Sequence, residues 1–422
     1  MKLIVTSDVH LHPHKIGSTD GGKDRLADGL SVLWQTLEMA RLCKATWVFC
    51  GDMKGPKSVW PVEALNGCIS VLAAYSDVRK IGLPGNHDLV ETPFGSGLEP
   101  LREYVTVFDR PTLEELRNTG IWIAAWPWGA GHREELPAFL DEAAAARKRG
   151  ETVVLLAHLM FEGMFPQADA QHPGKSLPPE AFRPGEVFDL ALVGDVHRGQ
   201  VLLAPSKLRE TRVWKPFSDY AARVAPGPGK ARQKAQVGPG RAEAGGAAIP
   251  LRAPGPWRGE VFYPGSPYAQ SFGERDDGPK GCLLVDVATG QVDLLPVRAP
   301  RFCELAVETV EGLEGLAAHA ADAEHWRDGV VRLIVPAAVL AKKGAADFVA
   351  RIKKASGARL LFPIPRHDVV AVRRAPVHGG MTPQELVRTY AETRPLEGAD
   401  RVVVERAGLE LLVEKDEGDD RV

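Results

Sequence analysis

Five short apolar runs along the chain each end in a group of polar residues. The runs are rich in Val, Ile and Leu and predict buried strands of a sheet that is covered on both faces. They span residues 3–5, 47–49, 78–83, 153–156 and 190–193. The polar segments that follow are Asp8-Val9-His10, Gly51-Asp52, Gly85-Asn86-His87-Asp88, His158 and Gly194-Asp195-Val196-His197. Because open α/β sheets place their sites at the carboxyl ends of strands, we expect these side chains to meet at one edge.

Helical patterns separate several of these strands. Residues 24–43 and 62–72 carry apolar side chains at helical spacing, and the charged, Ala-rich stretch 133–149 predicts a further helix. Strands that alternate with helices are typical of a layered, mostly parallel α/β sheet. We therefore predict an α/β domain over residues 1–299.

The pattern changes twice farther along the chain. Residues 206–258 hold eleven Lys or Arg against three acidic residues, with many Pro and Gly, and predict an inserted loop or partly disordered arm. Residues 300–376 show short alternating strand and helix signals, which predict a second, smaller α+β domain. Residues 377–422 contain a capping box from Thr382 to Glu385 and predict a C-terminal helical segment.

Composition narrows the possibilities only slightly. A chain of 422 residues, 44% of them hydrophobic, fits two or three domains with a sizeable core. Its net charge of −3 neither favours nor excludes nucleic acid, so local patches must decide. Five scattered cysteines, no signal-like N-terminal segment and no apolar stretch of membrane length predict a cytoplasmic protein without membrane contact.

The residue types in the five motifs indicate a metal site. Asp, His and Asn are ligands of hard and borderline cations, and five such segments behind five strands favour ligation over a chance set of loop residues. In-line displacement at phosphorus uses two divalent cations about 3.5–4 Å apart, which requires a bridging carboxylate. Asp52 is the natural bridge. We expect one cation to be completed by Asp8, His10 and His197, and the other by Asn86, His158 and Asp195.

The remaining residues of the third motif suggest catalytic roles. We expect His87 to lie beside the phosphate rather than on a cation, where it would protonate the leaving oxygen or stabilise the transition-state charge. Asp88 would then orient the His87 ring.

The five motifs resemble those of the calcineurin-like metallophosphoesterase superfamily. Residues 263–268 (Tyr-Pro-Gly-Ser-Pro-Tyr) and 271–274 (Ser-Phe-Gly-Glu) resemble more specifically the double-strand-break repair nuclease family of the SbcD type, and residues 51–66 resemble its phage and bacterial branch. This resemblance implies a layered β-sandwich core flanked by helices over residues 1–299. It also implies a DNA-capping domain at 300–376 and a segment that binds an ATPase partner at 377–422.

The same resemblance implies that the protein is a DNA nuclease with two divalent cations, Mn²⁺ in preference to Mg²⁺. It implies 3′-to-5′ exonuclease activity on duplex DNA and endonuclease activity on single strands. The implied partners are DNA ends, an SbcC-type coiled-coil ATPase and a second copy of the chain. Two alternatives stay open: a phosphoesterase for small nucleotides or phosphoproteins, and a DNA-end scaffold that has lost the second cation.

Two positions depart from the pattern of the nuclease family. Asp195 stands where the family usually has His, although a carboxylate still suits Mn²⁺ or Mg²⁺. Gly55 stands where the family often has a His that is linked to exonuclease activity. Exonuclease activity is therefore less firmly implied than phosphodiester hydrolysis.

Several further polar residues are candidates for contact with a DNA backbone. They are His12, His14, Lys54, Lys57, Arg198, Arg232, Lys234 and Ser266. No acidic residue occurs between Arg223 and Arg241, and phosphate contacts from such an arm would depend on salt and not on sequence. A solvated linker explains the arm equally well, and a plain surface position explains His12 and His14.

Overall fold

A computed structural model of the chain describes residues 1–13, 15–16, 23–55, 59–89, 96–116, 119–129, 134–164, 176–203, 213–220, 247–322, 326, 329–358, 360–366, 382 and 385. The predicted DNA contacts His14, Lys57, Arg232 and Lys234 lie outside these residues. So does almost all of the predicted C-terminal segment, although the capping box is described: Glu385 N donates to Thr382 Oγ1 (3.2 Å), and Thr382 N to Glu385 Oε2 (2.7 Å).

The structure contains the strands and helices that the apolar pattern predicts among the described residues, together with further strands that it did not predict. The strands are β1 Lys2–Thr6, β2 Lys15–Ile16, β3 Lys23–Asp24, β4 Thr46–Cys50, β5 Lys80–Leu83, β6 Thr106–Val107, β7 Thr112–Glu115, β8 Ile121–Trp126, β9 Thr152–His158, β10 Leu190–Gly194, β11 Gln200–Leu203, β12 Val213–Pro216, β13 Ile249–Arg252, β14 Glu260–Tyr263, β15 Gly281–Asp286, β16 Gln291–Pro296, β17 Phe302–Ala306, β18 Val330–Pro336 and β19 Leu360–Arg366. The helices are α1 Leu26–Cys43, α2 Val62–Ala74, α3 Leu136–Lys148, α4 Val310–His319, α5 Ala337–Leu340 and α6 Ala345–Ala355.

Two seven-stranded sheets pack face to face. Their strand orders are β13-β16-β15-β1-β4-β5-β6 and β12-β11-β14-β10-β9-β8-β7. Within the first sheet β1, β4 and β5 are parallel neighbours, and within the second sheet β8, β9, β10 and β14 are. Antiparallel pairs occur toward the edges. The fold is therefore a layered α/β sandwich flanked by helices, which confirms the predicted fold class.

Strand β4 shows how the sequence specifies this layering. All five of its residues are buried. Val48 and Cys50 belong to the core between the two sheets, whereas Trp47 and Phe49 belong to the core beneath α1 and α2. A strand with apolar residues on both faces is stable only where both faces are covered. On the second sheet, Trp126 packs against Phe139 of α3 (ring centroids 5.0 Å apart) and is a core residue.

A smaller, three-stranded parallel sheet follows the sandwich in the order β17-β18-β19. Helices α4 and α6 cover it, and its core includes Leu313, Val331, Leu333 and Ile352. Thr309 begins α4, since its hydroxyl accepts a hydrogen bond from the Gly312 N–H (3.0 Å). The predicted strand at 369–372 lies outside the described residues.

Parts of the insertion that composition predicts at residues 206–258 belong to the two sheets of the sandwich. Strand β12 pairs with β11 at the edge of the second sheet, and β13 pairs with β16 at the edge of the first. Trp257 also joins the sandwich, because its Nε1 donates to the Val287 carbonyl (2.8 Å). Both ends of this Pro- and Gly-rich stretch thus complete sheet edges. None of the described helices combines the length and hydropathy that a membrane span requires.

Arg25 joins the sandwich to the smaller sheet. It is 2% exposed, and its Nη1 lies 3.1 Å from Asp28 Oδ2. The guanidinium carbon lies 4.9 Å from the ring centre of Tyr268 and 5.1 Å from that of Phe302, the first residue of β17. A guanidinium between two aromatic faces is stabilised by cation–π attraction. Arg25 therefore links α1, the segment before β15, and the smaller sheet.

We predict that Arg25→Ala lowers the free energy of unfolding by about 3–5 kcal/mol, because it removes the cation from a buried ion pair. Urea denaturation followed by far-UV circular dichroism measures the change. Arg41→Ala is the matched control, since the Arg41–Asp77 pair lies at the surface and surface pairs contribute little. Equal effects of the two substitutions would contradict the role assigned to Arg25.

Candidate metal centre

The polar motifs meet because their strands are neighbours. Strands β1, β4 and β5 run in parallel side by side, so that Asp8, Asp52 and Asn86 follow at the same edge of the first sheet. His158 is the last residue of β9 and Asp195 follows β10, its parallel neighbour in the second sheet. The carboxyl ends of both parallel groups lie at one rim of the sandwich, as the strand pattern predicts.

The backbone at this rim adopts an unusual conformation. Asp8, His10, Asp52 and Asp195 have φ of 53°, 49°, 63° and 93°, and they are four of the six described non-glycine residues with positive φ. The loops are held by backbone bonds from Asp8 N to Gly51 O (2.9 Å) and from His10 N to Asp52 O (3.0 Å). Strain of this kind persists where the surrounding structure enforces it, and it clusters at functional sites.

Three motif glycines make room for the ring of His158. A Cβ atom would lie 2.1 Å from His158 Nδ1 at Gly51, 2.6 Å from its Cε1 at Gly85 and 2.7 Å from its Nδ1 at Gly194. A Cβ atom does not approach another atom this closely, so a residue with a side chain does not fit at any of the three positions. The glycine before each of Asp52, Asn86 and Asp195 therefore lets three loops close around one buried imidazole.

Asp8, His10 and His197 form the first set of candidate ligands, called here the His197 group. His10 Nε2 lies 3.0 Å from His197 Nε2 and 4.0 Å from Asp8 Oδ1. One ligand atom from each of the three residues lies within 4.8 Å of the others. Among the described residues, Asp8 Oδ1 is buried without a hydrogen-bond partner. A buried carboxylate oxygen that faces two imidazole nitrogens fits a cation.

Asn86, His158 and Asp195 form the second set, the His158 group. His158 Nε2 lies 3.6 Å from Asp195 Oδ1 and 3.2 Å from Asn86 Oδ1. Asp195 Oδ2 is buried and has no hydrogen-bond partner among the described residues. The Asn86 amide can take two orientations. In one, its nitrogen donates to Asp52 Oδ2 (2.9 Å); in the other, its oxygen faces Asp52 Oδ2, and a cation shared by the two oxygens would stabilise this second orientation.

Asp52 lies between the two groups. Its Oδ2 is 3.7 Å from His10 Nε2 and 3.5 Å from His158 Nε2. Its Oδ1 accepts the backbone N–H of His87 (2.8 Å), which fixes the orientation of the carboxylate. One oxygen of one side chain thus faces both groups. Three carboxylates, three imidazoles and an amide are the donor set of hard to borderline divalent cations such as Mn²⁺ or Mg²⁺.

Hydrogen bonds fix which imidazole nitrogen faces the centre. His158 Nδ1 donates to the Cys50 carbonyl (2.7 Å), and His197 Nδ1 donates to Glu274 Oε1 (2.9 Å). In both rings Nε2 is therefore the nitrogen that points toward the carboxylates. Metal-binding histidines are usually held in this way by a second hydrogen bond.

Burial and neighbouring charges shift the pKa values of the buried acids and histidines of the site. Burial lowers the pKa of His158, but the charges of Asp52 and Asp195 outweigh burial and raise the pKa well above its usual value. Burial raises the pKa of Asp8 to about 6 and lowers the pKa of His10 to about 3. Carboxylates that are buried this closely are stabilised by a proton or a cation, and metal binding releases the proton.

Asp88 has a different role from the predicted one. Its carboxylate accepts backbone N–H groups of Asp52 (2.7 Å), Met53 (3.0 Å), Lys54 (3.1 Å) and Gly85 (3.0 Å). Burial raises the pKa of Asp88 to about 7, against the opposing effect of these donors. The orienting contact of His87 Nδ1 is instead with the Gly55 carbonyl. The prediction that Asp88 orients His87 was therefore wrong, and Asp88 joins the second motif to the third.

Two predicted DNA contacts are wrong because the side chains are buried. Lys54 is 0% exposed and its Nζ donates to the His87 carbonyl. Ser266 is 0% exposed and its Oγ donates to Glu274 Oε2 (3.0 Å). Lys54 therefore contacts the backbone of the third motif, and Ser266 contacts the carboxylate that holds His197. His12 and Arg198 are partly exposed, so their DNA contacts stay predictions.

Gly55 is tightly packed, which bears on its departure from the nuclease family. A Cβ atom at this position would lie 2.7 Å from His12 Cβ and 3.3 Å from the His10 carbonyl. A histidine at position 55 would therefore require the loop from His10 to His12 to move.

Sequence reasoning missed the role of Glu274, which holds His197 across 77 positions of the chain. The motif at 271–274 pointed to this segment through family likeness, but no local pattern pairs an acid with a distant histidine. The half-buried ring of Trp128 also lies edge-on to His158, with 6.2 Å between ring centres.

A family model described as calcineurin-like phosphoesterase matches residues 1–199. The chain is thus similar to the calcineurin-like phosphoesterases over these residues, which make up less than half of its length. The region contains every candidate ligand named above but ends before Glu274. No curated protein matches the chain.

Two solved structures show weak similarity. The purple acid phosphatase PPD1 from yellow lupin (Lupinus luteus) seeds is 14% identical, with a TM-score of 0.33 over 49% of this chain and 39% of that chain. The 5′-nucleotidase precursor from Thermus thermophilus is also 14% identical, with a TM-score of 0.33 over 79% of this chain and 61% of that one. The chain thus matches less than two thirds of either protein.

We predict that Asp52→Asn weakens binding at both groups, because its Oδ2 faces both histidines. Titration of metal-free protein with Mn²⁺, with free Mn²⁺ followed by electron paramagnetic resonance, should show both affinities reduced by at least about 10-fold. Asp293→Asn is the control, since Asp293 is also buried but bonds to Gln291 on β16. If Asp52→Asn weakens a single class of site, Asp52 is not shared.

Proposed function

We propose that this protein hydrolyses phosphodiester bonds of DNA with two divalent cations, Mn²⁺ in preference to Mg²⁺. The observation that carries the proposal is the position of Asp52 Oδ2, 3.7 Å from His10 Nε2 and 3.5 Å from His158 Nε2. One carboxylate oxygen between two His-containing ligand sets is the arrangement that a two-cation phosphoesterase requires. The match of residues 1–199 to the calcineurin-like phosphoesterase model supports the reaction class.

Seven residues would hold the cations: Asp8, His10 and His197 on one side, Asn86, His158 and Asp195 on the other, and Asp52 between them. When bound, the cations would lower the pKa of a water molecule and stabilise the charge on the phosphoryl oxygens. The chain supplies fixed geometry. The His158 ring is enclosed by three glycine loops, and Asp52 is held by the His87 amide, so the ligands need little rearrangement.

His87 would handle a proton at the leaving oxygen. The contact of its Nδ1 with the Gly55 carbonyl fixes the orientation of the ring. A ligand atom of His87 lies within 4.8 Å of those of His10 and Asp52, so the ring stands at the rim of the centre. In the imidazolium form, Nε2 would donate its proton to the departing oxygen.

The proposal of DNA as substrate rests on the likeness of residues 263–274 to the SbcD-type nuclease family. The contact between Phe272 and Phe302, whose ring centres are 4.8 Å apart, supports it, since it sets the smaller sheet beside the segment that holds His197. A role of that sheet as a DNA-capping domain belongs to the same proposal. The homodimer and the SbcC-type ATPase partner stay predictions.

Asp195 also bears on the alternative of a DNA-end scaffold without a second cation. Its Oδ1 lies 3.6 Å from His158 Nε2, and its Oδ2 is buried without a partner among the described residues. The position of the Asp195 carboxylate therefore favours an Asp195 that still binds a cation over the scaffold alternative, in which the second cation is lost.

End-labelled single- and double-stranded DNA should be cleaved in the presence of Mn²⁺. Treatment with EDTA should abolish cleavage, and added Mn²⁺ should restore it, because bound cations would activate the attacking water molecule. Nucleoside monophosphates and a phosphopeptide should be hydrolysed more slowly, as measured by phosphate release. Hydrolysis of these monoesters alone would replace the proposal with a small-substrate phosphoesterase. Binding of two cations without hydrolysis of any ester would favour the scaffold.

We predict that His87→Ala reduces DNA cleavage by about 10²- to 10⁴-fold, the usual contribution of a general acid. Its Mn²⁺ content, measured by mass spectrometry of the loaded protein, should stay at the wild-type level. His319→Ala changes an exposed histidine on α4 and serves as the control. Loss of one Mn²⁺ from His87→Ala would instead make His87 a ligand.

A further inference from the structure

Residues 263–280 contact several loops of the metal centre, although they lie beyond the region of the family match. The Tyr263 hydroxyl donates to the Leu159 carbonyl (2.9 Å) and accepts the Phe161 N–H (3.0 Å), just after His158. The Tyr268 hydroxyl donates to the Val9 carbonyl (3.1 Å), between Asp8 and His10. The segment thus supports the loops that carry the ligands.

Ser266, Glu274 and Lys280 form a buried polar cluster, called here the Glu274 cluster, that contacts His197. Glu274 is 6% exposed, and its Oε1 lies 2.9 Å from His197 Nδ1. Its Oε2 accepts from Ser266 Oγ (3.0 Å) and from Lys280 Nζ (2.9 Å). Both carboxylate oxygens are therefore committed, one to the ring and one to the two supporting groups.

The same cluster also holds the backbone of His197. The His197 carbonyl accepts from Ser266 N (3.0 Å) and from Lys280 Nζ (2.7 Å). His197 is therefore fixed at its ring and at its main chain by groups 69 to 83 positions farther along the sequence. Lys280 balances the charge of Glu274, and a buried carboxylate without such a partner would be strongly destabilising.

We propose that Glu274 is a positioning residue for His197, and that the Glu274 cluster sets the cation affinity of the His197 group. The Nδ1–H bond to a carboxylate holds the lone pair of Nε2 toward Asp8 and His10, and it raises the basicity of the ring. This inference rests on the proposed two-cation function, which it extends by assigning a residue outside the family match.

The two groups should respond differently to loss of Glu274. His158 Nδ1 donates to the backbone carbonyl of Cys50, which no side-chain substitution removes. His197 depends on a side-chain carboxylate. A change at Glu274 should therefore weaken one class of cation site and leave the other unchanged. A merely structural role would lower both affinities together.

Glu274→Gln tests the proposal, because it removes the charge and keeps the size. The matched control is Glu260→Gln: Glu260 is 7% exposed and bonds to Arg252 Nε (2.9 Å) and Arg258 N (2.8 Å), away from the ligands. Metal-free wild-type and variant proteins are titrated with Mn²⁺, and free Mn²⁺ is measured by electron paramagnetic resonance. The melting temperature of each metal-free protein is measured in parallel.

We expect Glu274→Gln to weaken one of two Mn²⁺ sites by about 10- to 100-fold and to leave the other unchanged. DNA cleavage should fall at limiting Mn²⁺ and recover at saturating Mn²⁺. Glu260→Gln should bind both ions as the wild type does. Wild-type affinity at both sites in folded Glu274→Gln, or equal weakening of both, would overturn the proposal.

Ser266→Ala provides a milder test if Glu274→Gln does not fold. It removes one hydroxyl from Glu274 Oε2 and should weaken the same single site by a smaller factor, whereas unchanged affinity would count against the proposal. The binding readout is independent of hydrolysis. If the wild type binds two Mn²⁺ but cleaves no ester, the proposed function fails while the titration still decides the role of Glu274.

Discussion

The burial of three carboxylates at one rim is the constraint on which the rest of the site depends. The side chains of Asp8, Asp52 and Asp195 are at most 7% exposed, and they lie within reach of the same imidazoles. Like charges in so little space repel one another, and burial weakens the solvation of each. The arrangement is stable only with compensating positive charge. This need explains the raised pKa of Asp8 and of His158, and it makes the rim a candidate cation site.

The sandwich provides this geometry through strand order and through local strain. Parallel neighbours in each sheet bring the acids to one edge, where Asp8 and Asp52 both have a left-handed backbone conformation. Asp88 then ties the loop after β4 to the loop after β5 with four backbone bonds. Support of this kind keeps mutually repelling ligands from moving apart, which is the function of preorganisation in a catalytic site.

The segment between β14 and β15 connects this centre to the rest of the molecule. On one side Glu274 holds His197, and on the other Phe272 packs against Phe302 of the smaller sheet. Arg25 lies between Tyr268 and Phe302 and adds a second connection. The smaller sheet and the loops of the candidate metal centre are therefore only a few contacts apart.

The sequence by itself determined the layered fold and the set of polar residues at the rim. Apolar runs specify strands, and the residue after a buried strand must emerge at its end, so Asp8, Asp52, Asn86, His158 and Asp195 could be grouped from local pattern alone. Only the tertiary structure decided what each atom meets. Asp88 binds amides rather than His87, Lys54 and Ser266 are buried rather than open to DNA, and Glu274 reaches His197. These partners depend on how distant segments pack, and short-range periodicity contains no information about such contacts.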